Sequence, residues 1–251
     1  MLFDIHSHIL PCVDDGAQSI EESLELLEML KSQGVTSVLA TPHFYPLEDN
    51  FQDFAKSVNH AFETLKAELV KRDLPEVFLG CEMLYFEGLG ESELLHNFCL
   101  NNSNFLLLEL TEGCIDETLF ENIRKMREGS NITPIIAHIE RYFKAKNFKK
   151  LMKFIITEKI PIQINAASVL IPFFKRTIKK LIHSDIICVL GSDAHSVDIR
   201  PPLLRPALDF IKEKYGDEVY NRFIETSDDF YKKIILCDGG VNEKQYVKNH
   251  Q

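Results

Sequence analysis

Apolar positions along the chain follow two alternating rhythms. Short runs rich in Val, Ile, Leu and Phe occur at residues 2–5 (LFDI), 35–41 (VTSVLAT), 77–82 (VFLGCE), 105–110 (FLLLEL), 133–138 (TPIIAH), 160–165 (IPIQIN) and 186–193 (IICVLGSD). Their length and composition predict seven strands. Between them the apolar spacing lengthens to that of helices. Ile20, Leu24, Leu27 and Leu30 make one stripe, opened by a capping box of Ser19 and Glu22 and stopped by Gly34. Phe51, Phe54, Val58, Phe62, Leu65 and Leu69 make a second over residues 51–72. Further helices are expected at 116–128, 147–158, 172–183 and 203–215. Strand and helix alternating in this way is the mark of βα units around a parallel sheet.

No linker rich in Gly, Pro or Ser divides the chain, so one domain over residues 1–238 is the economical reading. The polar stretch 239–251 (GGVNEKQYVKNHQ) reads as a loose tail. At 251 residues, 45% hydrophobic, the chain is large enough for one closed α/β barrel or two small domains. A net charge of -10 and a pI near 5.4 argue against general affinity for nucleic acid or anionic membrane, while leaving room for a local basic pocket. No apolar run reaches membrane-spanning length and no export signal opens the chain, so a cytoplasmic protein without stable membrane insertion is expected.

Six cysteines (Cys12, Cys81, Cys99, Cys114, Cys188, Cys237) show no C-x-x-C spacing and read as reduced, mostly buried thiols. None is followed six positions later by an arginine, which excludes a thiolate phosphatase loop.

The metal-capable residues fall at one end of the predicted strands. His6 and His8 follow the first strand in DIHSH, two apart and so on one face. His43 follows the second (TPHFYP), Glu82 ends the third, Glu109 lies near the end of the fourth, His138 ends the fifth, and Asp193 and His195 end the last (GSDAH). In a parallel barrel the carboxyl ends of the strands form one rim, where active sites sit. Five of the nine histidines are on that rim, which points to a metal site of more than one ion. Imidazole with carboxylate suits manganese, iron or zinc. Asp14 and Asp15 (VDDGA) add carboxylates: one could ligate while the other binds backbone amides, or both could form a turn with Gly16. His60, His96, His183 and His250 read as surface or packing residues. Arg141 (HIERY) and Arg200 (HSVDIRPP) stand close behind the ligands, where they fit a bound phosphate or an ion pair with Glu140 or Asp198.

Taken in order, DIHSHILPCVDDGA, ATPHFYP, GCEM, LLEL, IAHIERY and GSDAH resemble the successive motifs of the polymerase and histidinol phosphatase (PHP) family. Within it they are most similar to the manganese-dependent bacterial protein tyrosine phosphatases of the CpsB and YwqE type, over residues 1 to about 205. The resemblance implies an α/β fold, a distorted (β/α)7 TIM-like barrel. It implies two or three manganese ions on His6, His8, Asp15, His43, Glu82, Glu109, His138, Asp193 and His195, with iron or zinc as substitutes, and it favours Asp15 over Asp14. Arg141 and Arg200 become phosphate binders and, with Asp193, the catalytic residues. Where these phosphatases often read T-P-H-H, this chain has Phe44, and Phe44 and Tyr45 are candidates to stack on a substrate ring.

The implied reaction is hydrolysis of phosphotyrosine on protein by a metal-bridged hydroxide, with no phosphoenzyme. A phenolate of conjugate-acid pKa about 10 leaves with little proton donation. The implied substrate is the phosphotyrosine tail of a bacterial tyrosine autokinase that controls capsule or exopolysaccharide synthesis. The alternatives are a phosphatase of a small phosphomonoester such as histidinol phosphate, and a metal-binding module without catalysis.

Overall fold

The computed structural model describes residues 2–236. The expected tail, with His250, and Cys237 lie outside the described residues. In chain order the elements are β1 (Leu2–Ser7), α1 (Ile20–Ser32), β2 (Val35–Ala40), β3 (His43–Phe44), α2 (Phe51–Leu69), β4 (Glu76–Leu79), β5 (Glu82–Leu84), α3 (Leu95–Phe98) and β6 (Phe105–Glu109). They continue as α4 (Glu117–Gly129), β7 (Thr133–Ile136), α5 (Phe148–Glu158), β8 (Ile162–Asn165), α6 (Ala166–Leu170), α7 (Lys175–Ile182), β9 (Cys188–Gly191), α8 (Leu204–Tyr215) and α9 (Asp217–Ile234).

The strands pair in parallel in two ladders, β1-β2-β4 and β3-β5-β6-β7-β8-β9. Two of the seven expected strands are each broken in the middle. Pro42 has no N–H to give, so β2 ends and resumes as β3. The neighbouring strand breaks beside it, at Gly80 and Cys81, so Glu82 opens β5 rather than ending a longer strand. Hydrogen bonds carry the ladder across both breaks: Gly80 N donates to Ala40 O at 2.8 Å, and Glu82 N to Pro42 O at 3.0 Å. The ring closes between β1 and the residues after β9. Asp193 N donates to His6 O and His8 N to Ala194 O, each at 2.8 Å. Seven strands therefore run round a closed, distorted barrel, the (β/α)7 arrangement the family resemblance implied.

Two apolar layers hold it. Phe3, Ile5, Leu39, Leu107, Ile135, Ala137 and Val189 fill the interior, while the larger layer joins the strands to the surrounding helices. The amino-terminal end of the barrel is plugged by α9, an element absent from the sequence reading. Its Phe230 and Ile234 join the interior layer, and Ser227 Oγ accepts from Phe3 N at 3.2 Å. The stripe Val219, Phe223, Ser227, Phe230, Ile234 carried the helical signal, and Gly216, at φ 89°, is the break that separates α8 from it.

The cap of α1 forms only in part. Ser19 Oγ accepts from Glu22 N at 3.1 Å, but the Glu22 carboxylate takes Gln18 N at 2.8 Å instead of closing the box. Cys81, Cys99 and Cys188 are buried, whereas Cys12 is exposed and Cys114 half-buried. Among the described residues no helix is long and apolar enough to cross a membrane.

Candidate metal centre

The register of β1 against β2 shifts between Asp4 and Ser7. Below the shift Phe3 and Ile5 face the barrel interior; above it His6 and His8 do, so both imidazoles enter the carboxyl-end mouth. Their Nε2 atoms lie 3.1 Å apart. Around them the structure gathers all nine predicted ligands. Glu82, 1% exposed, stands at the centre: its Oε2 is 3.1 Å from His6 Nε2, 3.1 Å from His43 Nδ1 and 3.3 Å from His8 Nε2, and its Oε1 is 2.8 Å from His138 Nε2. Asp193 Oδ1 lies 3.5 Å from the Nε2 atoms of both His6 and His8. Glu109 Oε1 is 3.4 Å from His138 Nε2, and Asp15 Oδ1 is 3.3 Å from His195 Nε2 and 3.6 Å from His43 Nε2. Three groupings result, each with donor atoms within 4.8 Å of one another: His8, Asp15, His43 and His195; His6, His8, Glu82 and Asp193; and His43, Glu82 and Glu109.

Whether these residues suit cations turns on which ring nitrogen carries a proton. His6 Nδ1 faces Gln163 Oε1 at 3.2 Å, His8 Nδ1 faces Asp14 Oδ2 at 2.7 Å, and His195 Nδ1 faces the Asp193 carbonyl at 3.0 Å. All three partners are acceptors, so each Nδ1 donates, and whenever the ring is neutral its lone pair is on Nε2, aimed into the mouth. His195 Nε2 and His43 Nδ1 are buried without a hydrogen-bond partner. A buried ring nitrogen that makes no hydrogen bond and lies close to carboxylates fits a cation.

The two aspartates of VDDGA divide their labour. The Asp14 side chain, 8% exposed, accepts from His8 Nδ1, Gly16 N (2.9 Å) and His43 N (3.1 Å), so its oxygens are already engaged. Asp15, with a side chain 67% exposed, turns toward the imidazoles. Burial alone would pull His8 down, but Asp14 and Glu82 push it up to about 10, so a cation at Nε2 would displace a proton from there. Burial would likewise raise Glu82, but the charge on His6 and the close approach of the His138, His6 and His8 rings hold it well below the carboxylate range. Glu109, with no such set of partners, rises to about 7 through burial and the Glu82 charge.

Both arginines reach one carboxylate. Arg141 and Arg200 place a guanidinium nitrogen 2.5 and 2.7 Å from Asp193 Oδ2, not against Glu140 or Asp198, and their side chains are 40% and 37% exposed. Asp193 and His138 have φ of 52° and 31°, left-handed values that non-glycine residues adopt at a cost and that recur at functional sites. Phe44 is not available to a substrate: it is buried against Phe54 and Phe98. Tyr45 stacks on His43 instead, ring centroids 5.2 Å apart. His60, His96 and His183 are exposed and remote from these groupings.

The sequence reading missed the supporting residues Gln163, Asn165 and Asp4. Gln163 Oε1 accepts from His138 N at 2.6 Å as well as from His6, and Asn165 Nδ2 donates to Asp193 Oδ2 at 2.6 Å. Asp4 Oδ1 accepts from Ser192 N at 2.9 Å, behind the GSDAH turn. Their signal was a polar residue inside an apolar strand, Gln163 within IPIQIN and Asp4 within LFDI.

Residues 2–229 match the model of the family described as capsular polysaccharide synthesis, CpsB/CapC. The chain is 32% identical over 249 residues to the tyrosine-protein phosphatase CpsB of Streptococcus agalactiae serotype III (strain NEM316), covering 94% of this chain and all of that one. It is 27% identical over 227 residues to the tyrosine-protein phosphatase YwqE of Bacillus subtilis (strain 168), covering 87% of each. A solved structure from work on YwqE of Bacillus subtilis and CpsB of Streptococcus pneumoniae, described as unique metal-dependent tyrosine phosphatases, superposes with a TM-score of 0.81 at 25% identity, over 99% of this chain and all of that one.

Proposed function

The chain belongs to the CpsB/CapC family, and on that premise we propose that it is a metal-dependent protein tyrosine phosphatase whose metal ions sit among the nine side chains at the barrel mouth. The observation that supports this most is the set of Nδ1 donations to Gln163, Asp14 and the Asp193 carbonyl, which leaves the Nε2 lone pairs of His6, His8 and His195 facing carboxylates. Three groupings of donors suit two or three ions, and mixed imidazole and carboxylate donors suit manganese. When bound, such ions act as Lewis acids toward phosphoryl oxygen and lower the pKa of water from about 15.7 toward 7.

The chain's own residues do the rest. Arg141 and Arg200 converge from the segments that follow β7 and β9 on one point beside Asp193, and their partly exposed guanidiniums hold the phosphoryl oxygens and offset the charge that develops in the transition state. Asp193 fixes the two guanidiniums relative to the ligands and is itself held by Asn165 Nδ2. Tyr45, on the face of His43, offers a ring at the edge of the mouth for the aryl group of the substrate. A tyrosyl phenolate, of conjugate-acid pKa about 10, departs without a strong acid, which favours an aryl over an alkyl phosphate. The substrate we assign is the phosphotyrosine tail of a bacterial tyrosine kinase of capsule or exopolysaccharide synthesis, since an unfolded tail enters an open mouth more readily than a folded surface.

The test is phosphate release from a phosphotyrosyl peptide and a matched phosphoseryl peptide, by protein stripped with chelator and then given manganese. Release from the tyrosyl peptide alone, dependent on metal and abolished in His6→Ala, is the expected result. Failure of both peptides with full metal loading refutes the proposal and moves the assignment to histidinol phosphate or another small phosphomonoester.

A further inference from the structure

A groove of about 990 Å³ runs between α5 and α7, and it begins beside the mouth. Phe143 lines it two residues after Arg141, so their Cα atoms are within about 8 Å. No carboxylate lines the groove, although the chain holds 38 Asp and Glu against 28 Lys and Arg. Five cations do: Lys146, Lys149 and Lys153 from one wall, Arg176 and Lys180 from the other. None of the five makes an ion pair with another described residue. Between them lie apolar side chains that a solvated lysine face does not need: Ile156 is 52% and Phe173 57% exposed. Phe143 and Phe173 meet edge to face at 5.2 Å, with Lys144 Nζ 4.7 Å above the Phe173 ring.

The opposite side of the mouth has the reverse charge. There Asp14, Asp15, Glu48, Asp49 and Asp53 line a hollow of about 630 Å³ together with His43 and Tyr45. An acidic chain leaving the metal centre is repelled on that side and drawn along the other. The groove is concave, which suits a single extended peptide better than a flat lipid surface. With α5 about 16 Å long, roughly five extended residues cover it.

We propose that this groove is a docking site for an acidic segment carrying aromatic or aliphatic side chains, next to the phosphotyrosine in the substrate protein. Its use as a substrate site rests on the phosphatase reading above; its affinity for such a peptide does not. Lys153 and Lys180 are exposed and outside the metal centre, so Lys153→Glu/Lys180→Glu leaves the fold and the basal chemistry in place.

Two measurements test it. A fluorescein-labelled, unphosphorylated peptide of Asp and Glu with interspersed Phe and Leu is titrated with full-length protein by anisotropy. Binding that weakens at least tenfold in the double variant, weakens with added salt, and also falls in Phe173→Ser is the expected result. Next, a phosphotyrosyl peptide carrying that segment is compared with one flanked by Gly and Ser. Its KM should be at least fivefold lower on the wild type, and the advantage should vanish in the double variant while both constants for the neutral peptide stay unchanged. Equal binding by wild type and double variant, or an advantage that persists in it, overturns the proposal. So does wild-type binding to phosphatidylglycerol vesicles in the absence of peptide binding, which assigns the groove to a lipid surface. Hydrolysis of neither peptide, with groove-dependent binding intact, refutes the phosphatase reading alone and leaves the groove as an acidic-peptide site.

Discussion

Asp14 tests whether a carboxylate that touches no cation can govern the metal centre. Its Oδ2 accepts from His8 Nδ1 at 2.7 Å and from His43 N at 3.1 Å, and its Oδ1 accepts from Gly16 N at 2.9 Å. Asp14→Asn keeps the shape but offers one oxygen and one NH2 to three donors. If the oxygen stays on Gly16, the NH2 meets His8, which must switch tautomer, accept at Nδ1 and place its proton on Nε2, where a metal lone pair is needed. Loss of such a supporting hydrogen bond typically weakens metal affinity about 10–100-fold, roughly 1.4–2.7 kcal/mol. The chelated protein also loses a buried, charge-assisted hydrogen bond worth about 2 kcal/mol, or about 4–8 °C in Tm for a chain of this size. Manganese titration by calorimetry on chelated wild type and variant, with thermal melts of both, measures the two effects. Asp15→Asn is the control: its exposed side chain should lower metal affinity and leave the melting of the chelated protein unchanged. Asp14→Asn with wild-type affinity within twofold would refute the assignment of the His8 tautomer to Asp14.

Three other outcomes follow from the packing. A Cβ on Gly191 would sit 2.7 Å from His6 Cβ and 2.9 Å from Gln163 Nε2; Gly191→Ala should cost about 1–3 kcal/mol in urea unfolding and lower manganese affinity, and an unchanged affinity would show that His6 tolerates displacement. Burial raises Glu140 from 4.5 to about 7, so in the folded state it keeps its proton longer than in the unfolded chain, and stability falls as pH rises from about 4.5 through 7. Glu140→Gln should therefore flatten the pH dependence of unfolding of the chelated protein over that window by up to about 3 kcal/mol, and a slope equal to wild type excludes Glu140 as its source. Phe230 closes the barrel floor at 3% exposure; Phe230→Ala should cost about 3–5 kcal/mol with kcat unaltered for the remaining folded enzyme, whereas a cost under 1 kcal/mol would mean that α9 is dispensable to the interior.

Period and punctuation along the chain were enough to predict seven strands alternating with helices around a parallel sheet, because each strand is an apolar run and the predicted helices show apolar stripes; the closed seven-stranded barrel was what the motifs' resemblance implied. The rim residues were legible for a related reason: a strand's carboxyl end is a place in the sequence as well as in space, so His6, His43, Glu109 and His195 could be assigned to one face before any coordinates. What residue types two apart could not show was the register shift in β1, which depends on pairing with β2 and turns His6 and His8 inward above Ile5. The division between Asp14 and Asp15 likewise depends on His43 N, 29 residues away, coming within 3.1 Å of one of them. Gln163 and Asn165 were simply part of the strand IPIQIN until closure of the ring set them against His6, His138 and Asp193. The floor of the barrel and the cationic groove belong to the same class. Helix α9 takes its role from contact with a strand more than two hundred residues earlier, and Lys149 and Arg176 form one surface only because α5 and α7 pack side by side. Local pattern determined the elements and their chemistry; long-range closure decided which atoms meet, since distances between residues far apart in the chain are set by packing and not by spacing.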